Sequence, residues 1–392
     1  MTNAADQDEV AAIAARVEAF VRNIVVTFEQ DSRWGGHGPS SDLVQELRAK
    51  AAAANVLTPH IRPDGSHFDH RSVVRIFRAA GLSPLGPAAV NVAAPDEGNM
   101  YLLGKVATAA QRMRFLAPLQ SGRARSAFLM TEPAADGGAG SDPTMLQTTA
   151  RPDGADWRLS GRKAFVTGAQ GASFGIVMAK TEDAATMFLV ALPQPSVVIE
   201  RVLDTIDRSM PGGHGVVALN DVRVPADCVL GEVGAGFAYA QVRLAPARLT
   251  HCARWLGACL RAQEIATEYA VRRQAFGRPL IDHEGVGFML ADNLIALKQA
   301  ELIIDWCAQV LDSGLSGGTE SAMTKVAVSE ALYHVADRCV QVMGGTGVTR
   351  DTIVEQVFRE IRAFRIYDGP TEVHKWSLAK HIRRNELKRC LA

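Results

Sequence analysis

The sequence predicts an α+β multidomain protein: an N-terminal α domain, a middle β domain and a C-terminal four-helix bundle. Three textures predict it. Residues 1–125 space their apolar side chains for helices, residues 126–236 break into short β-branched runs between Gly, Pro and Asp, and residues 237–392 return to long amphipathic helices. With 392 residues and 47% hydrophobic side chains the chain can bury a large core, and its length suits two or three domains.

In the first segment Ile13, Val17, Phe20, Val21 and Ile24 fall on one helical face, and Ala-rich stretches follow near 49–55 and 105–112. The irregular residues 59–72 and the Pro- and Gly-bearing residues 82–99 connect these helices. His67 and His70 form an HxxH there, but Pro63, Asp64, Gly65, Ser66 and Asp69 around them read as a polar loop. A closed metal site needs more ligands than this, and no metal is expected.

From Ser126 onward AFLMTEP, WRLSGRKAFVTG, FGIVMAK, TMFLVAL, VVIERV and GVVALNDVRVP have strand composition, ending near Gly236. Cys252, Trp255, Leu256, Cys259 and Leu260 then step along one long helix as a core stripe. Further helices are expected at about 285–312, 319–343 and 350–366, the first two separated by a Gly/Ser run at 313–318. Four such helices make a bundle.

Lys+Arg and Asp+Glu both number 42, so the zero net charge gives no footprint for nucleic acid or for an anionic membrane surface. No apolar run reaches spanning length, and the first residues carry acids where a leader would be basic. Six cysteines without CxxC spacing suit buried thiols in a reducing compartment, so a cytoplasmic location is expected. There is no G-x-G-x-x-G, no P-loop and no G-x-S-x-G, which argues against a Rossmann nicotinamide enzyme, a P-loop enzyme and a serine acyl transferase.

Chemistry concentrates in residues 341–376. Gly344, Gly345 and Gly347 end a helix, and Gly369-Pro370 mark a turn that presents one carboxylate, Asp368. Two roles are open for it. Asp is a favoured N-cap and Glu372 follows close behind, so Asp368 could cap the next helix; an acid in such a turn can equally face a pocket.

Five motifs stand in order along the chain: MTEP at 130–133 with GAGSD at 138–142, KAFVTG at 163–168, RRQAFG at 272–277, QVMGGTG at 341–347 and YDGPTE at 367–372. Together they resemble the acyl-CoA dehydrogenase family over essentially the whole chain, including VPADCVLGEVGAGF at 224–237. The resemblance implies FAD, with its ring against Met130, Thr131, Phe165 and Thr167 and its pyrophosphate at Ser141. Phe165 replaces the family's usual Trp, keeping an aromatic wall without the indole donor. Arg273 and Phe276 match residues that reach the cofactor of a neighbouring subunit, as do Gln341, Gly344 and Gly345, so a homodimer or homotetramer is implied. Pro370 and Glu372 match positions beside the cofactor.

The implied reaction is α,β-dehydrogenation of an acyl-CoA in fatty acid metabolism. Asp368 would remove the α-proton while the β-hydride passes to flavin N5, and an electron-transfer flavoprotein would take the electrons. Three departures stand out: a longer interval between Pro133 and Ser141, Glu284 where the family has Gln, and Asp368 where Glu is commoner. Some relatives carry the base at the position of Ala247, which here has no carboxylate. Two other readings are a flavin oxidase of nitroalkane-oxidase type, which also uses an aspartate, and a non-catalytic acyl-CoA-binding protein.

Overall fold

Helices open the chain: α1 (Ala4–Asn23), α2 (Ser41–Ala53), α3 (His70–Ala80) and α4 (Asp96–Val106). Strands β1 (Ser126–Leu129), β2 (Thr149–Asp153), β3 (Asp156–Thr167), β4 (Phe174–Thr181), β5 (Ala184–Ala191), β6 (Val197–Leu203), β7 (His214–Val224) and β8 (Val229–Leu230) follow. Then come α5 (Gly236–Arg272), α6 (Glu284–Asp312), α7 (Gly318–Met343), α8 (Val354–Phe364) and α9 (Thr371–Leu391). The structure is a computed structural model describing residues 4–138, 140 and 142–391. The helix, strand, helix order is the predicted one. The helix expected at 350–366 starts later, at Val354, whose N–H goes to the Thr352 hydroxyl.

The chain forms two compact units, one of Met1–Glu29, Phe68–Pro87 and Ala245–Ala392, the other of Gln30–His67 and Ala88–Leu244. The second holds the sheet. Among the described residues it has eight strands in the order β8-β5-β4-β2-β3-β7-β6, with β1 added parallel to β4. Ile176, Val177, Met178, Phe188, Leu189 and Val190 make its centre, and Met100, Leu102 and Leu103 of α4 pack into the same core. Asp96 at the start of α4 accepts both the backbone N–H (2.7 Å) and the hydroxyl (2.8 Å) of Ser126, which fixes where β1 begins. Two residues past the end of β1 stands Thr131.

β3 and β7 pair antiparallel, but the register slips between Lys163 and Val166. A bulge bends a strand and re-aims the side chains on it. Phe165 sits in that slip with φ +52° and is 62% exposed, while Val166 beside it is buried.

In the helical unit α5 and α7 run parallel. Cys259 Sγ lies 3.7 Å from the carbonyl of Leu332, and four residues further on Gln263 Oε1 lies 3.8 Å from Cys339 Sγ, so both helices advance in the same direction. Cys228, Cys252, Cys259, Cys307 and Cys339 are free and buried, as the composition predicts. No helix among the described residues is long and apolar enough to cross a membrane.

Candidate active site

Asp368 lies between α8 and α9 with φ +53°, a left-handed conformation that Asp tolerates better than most residues. Its carboxylate Oδ2 is 3.3 Å from Nε2 of His251 on α5. At the start of α9 the Thr371 hydroxyl donates to Glu330 Oε1 at 2.6 Å. The side chain of Asp368 thus reaches α5.

Three basic side chains latch the backbone of this turn. Arg248 Nε donates to the Asp368 carbonyl at 3.0 Å, His374 Nε2 donates to the same carbonyl at 3.1 Å, and Lys325 Nζ donates to the Gly369 carbonyl at 2.7 Å. Gly369 has φ +101°, and a Cβ there would stand 2.5 Å from His374 Nε2, so only glycine fits. Trp255 Nε1 donates to the Tyr367 hydroxyl at 2.6 Å, giving a buried indole its partner and holding the residue before the acid.

Burial dominates the electrostatics here. It lowers the Arg248 guanidinium below its ordinary value and pushes Lys325 down to about 8, with the Asp368 charge pulling each back up. His374 is pushed down to about 4 by burial, then by the charges of Arg248 and Lys325. At neutral pH it is an uncharged donor to the turn. Sequence reasoning missed His251, Lys325 and His374 as parts of this site. The available signal was Lys325, which falls among Ala322, Val328 and Leu332 on the buried face of α7.

A second cluster lies in the sheet unit. The Ala164 N–H donates to the Thr131 carbonyl at 2.9 Å, which joins the segment just past β1, with Met130 and Thr131, to β3, which carries Phe165 and Thr167. Lys163, fully buried, donates to the Met130 carbonyl at 3.2 Å and to Glu132 Oε1 at 2.8 Å. Glu132 also accepts the N–H groups of Gln147 and Thr148 at 2.6 and 2.9 Å. Burial, the largest single influence, opposes the ionisation of Glu132, but the Lys163 charge and the hydrogen bonds from Lys163, Thr148 and Gln147 together outweigh it and hold the carboxyl below the usual range. This pair anchors the backbone from which Thr131 projects.

Thr131 has no side-chain partner among the described residues, and Thr167 Oγ1 lies 3.0 Å from His214 Nδ1. His214 Nε2 is in turn 2.8 Å from Asp207 Oδ2. Ser141 lies outside the described residues. Gly138 passes so close to Glu132 that a Cβ would sit 2.5 Å from the glutamate Cβ, so its glycine serves packing within the loop. Two half-buried hydroxyls beside an exposed aromatic held off the sheet suit a flat, polar-edged ring, and the donor set fits a flavin.

Arg273 and Phe276 follow α5, where Gln274-Ala275 pair with Arg278-Pro279 in a tight hairpin. The Arg273 side chain has no partner among the described residues, and Phe276, at φ +52°, is 95% exposed. Gln341, Gly344 and Gly345 are exposed at the C-terminal end of α7. Because α5 and α7 run parallel, both groups lie toward the same end of the bundle. From His251 to Arg273 is about 33 Å along α5, at 1.5 Å per residue. The aspartate turn and the free guanidinium are therefore far apart within one chain. Pro370 and exposed Glu372 flank the turn itself.

The acyl-CoA dehydrogenase middle-domain and C-terminal-domain family models match residues 127–218 and 234–383. A Mycobacterium tuberculosis protein named "Probable acyl-CoA dehydrogenase FadE2" is 40% identical over 351 residues, which is 86% of this chain and 85% of that protein. Chicken acyl-CoA dehydrogenase family member 11 is 34% identical over 94% of this chain, and the chain spans 50% of that longer relative. A solved Mycobacterium abscessus structure with a provisional acyl-CoA dehydrogenase name superposes with TM-score 0.87 at 32% identity, covering 97% of this chain and 98% of the other.

Proposed function

The chain belongs to the acyl-CoA dehydrogenase family, with helical N- and C-terminal domains and a middle β-sheet domain, and on that premise we propose that it dehydrogenates an acyl thioester between Cα and Cβ with Asp368 as the base. One observation carries this reading: the carboxylate stands on a left-handed residue, meets His251, and has its backbone latched by Arg248, Lys325 and His374. A helix cap needs none of that apparatus. A base that must meet one particular C–H bond does, because a displaced base loses rate steeply.

Bound FAD would supply the two-electron acceptor for the hydride that leaves Cβ, chemistry beyond any side chain. Asp368 takes the α-proton. His251 Nε2, 3.3 Å from Oδ2, orients that carboxylate. Met130, Thr131, Phe165 and Thr167 border the flavin ring in this reading, and Arg273 meets a pyrophosphate. The separation of about 33 Å along α5 supports an Arg273 that serves the cofactor of a second copy. Exposed Phe276, and Phe288, Ile295 and Leu302 at heptad spacing on α6, offer that copy an apolar face. An acyl-CoA is the proposed substrate and an electron-transfer flavoprotein the proposed electron acceptor.

Denaturing the purified protein should release one FAD per chain, and anaerobic acyl-CoA esters of graded length should bleach it. Release of FMN, or of no flavin, contradicts the proposal.

A further inference from the structure

Resting on the reading that a flavin ring borders Thr167, we infer that Asp207 and His214 are positioning residues that make the Thr167 hydroxyl a hydrogen-bond acceptor toward that ring. His214 lies directly opposite Thr167 in the β3–β7 ladder. The Gly168 N–H donates to the Gly213 carbonyl at 2.9 Å and fixes the spacing of the two strands. From there the contacts run in one line: Thr167 Oγ1 to His214 Nδ1 at 3.0 Å, His214 Nε2 to Asp207 Oδ2 at 2.8 Å. Asp207 is 7% exposed, so the line ends in the protein and not in water.

The direction of these bonds follows from what each group can do. An ionised carboxylate only accepts, so Asp207 takes the Nε2–H of His214 and selects the tautomer whose Nδ1 carries no proton. Nδ1 then accepts the hydroxyl hydrogen of Thr167. What Thr167 offers outward is a lone pair. Thr167 is half-buried and Phe165, two residues earlier, is exposed, while Val166 between them is buried. A flavin ring gains an N–H on reduction and can only accept at that nitrogen when oxidised. An acceptor oxygen there favours the reduced ring, and so raises the reduction potential of the bound flavin.

Asp207→Asn tests this, because the amide can donate to Nε2, shift the imidazole proton to Nδ1 and free the Thr167 hydroxyl to donate instead. Titrated anaerobically against a reference dye, the bound flavin of the holoprotein should shift about tenfold toward the oxidised form, about 30 mV for a two-electron couple. Thr167→Val should shift it in the same direction by removing the acceptor. The double variant should match Thr167→Val alone, since nothing remains for the imidazole to orient. A strut that merely held the loop would lower the unfolding temperature of Asp207→Asn and leave the potential where it was. That result overturns the inference, as does an unchanged potential in Thr167→Val, which decides the matter if Asp207→Asn does not fold. Wild-type protein that carries no flavin overturns the FAD reading itself, and is seen before any variant is made.

Discussion

Asp368 Oδ2 stands 3.3 Å from His251 Nε2, and the imidazole is itself wedged against Tyr367 and Phe364 at ring-centroid distances of 5.0 and 5.9 Å. The acid is therefore aimed by a ring that cannot swing. Replacing His251 by Leu should leave FAD content unchanged and slow substrate-driven flavin bleaching by about 10- to 100-fold, the scale of a base misplaced by an ångström. His251→Gln, which can still donate, should recover part of that loss. Stopped-flow absorbance checks both, and equal rates in Leu and Gln variants would count against an aiming role.

Lys163 and Glu132 form a buried ion pair at 2.8 Å, with Lys163 pushed down to about 8 by burial despite the pull of Glu132. Lys163→Met leaves a carboxylate in the interior without its counter-charge. Urea unfolding should show a loss of about 3–5 kcal/mol, the cost of breaking such a pair from one side. Removing both charges together should cost less than removing Lys163 alone.

Phe165 holds φ +52° although it is bulky and 62% exposed, a conformation costing about 1–3 kcal/mol. Phe165→Gly should relieve it. The flavin-free protein should gain about 1 kcal/mol in denaturant unfolding, while the flavin dissociates more readily. A variant that loses stability would place the strain elsewhere.

His374 gives the acid limb of stability a sign. Its folded value is about 4 against an ordinary 6.5, so between those pH values the unfolded chain binds the additional proton. The stability His374 contributes is intact above pH 6.5 and is lost as pH falls through 4. From pH 7 to 5 the wild type should lose about 2 kcal/mol more than His374→Gln, measured from urea midpoints. Parallel pH profiles would contradict this.

The helices and the sheet were legible because their periodicities are local: the stripe through Cys252, Trp255 and Cys259 on α5 and the β-branched runs of β4 and β5 need no partner to be seen. Trp255 shows where that reading stops. It belongs to the stripe, yet its N–H also holds Tyr367, more than a hundred positions away. Lys325 could have been found, since a lysine among Ala322, Val328 and Leu332 breaks an apolar face. Asp207 and His214 could not, because Asp207 lies in a loop and meets Thr167 only through an imidazole that strand pairing brings across. Asp368 was visible as an acid in a glycine turn; its orientation depends on Arg248, His251 and Lys325 from two other helices.

The most direct test is the rate of anaerobic flavin bleaching by a good acyl-CoA in Asp368→Asn. Asn keeps the shape of the side chain, and it would cap a helix about as well as Asp. The account predicts a folded, yellow protein whose bleaching rate falls by at least about 10² to 10⁴, the reach of a general base. A folded, yellow Asp368→Asn protein that bleaches near the parent rate would contradict it.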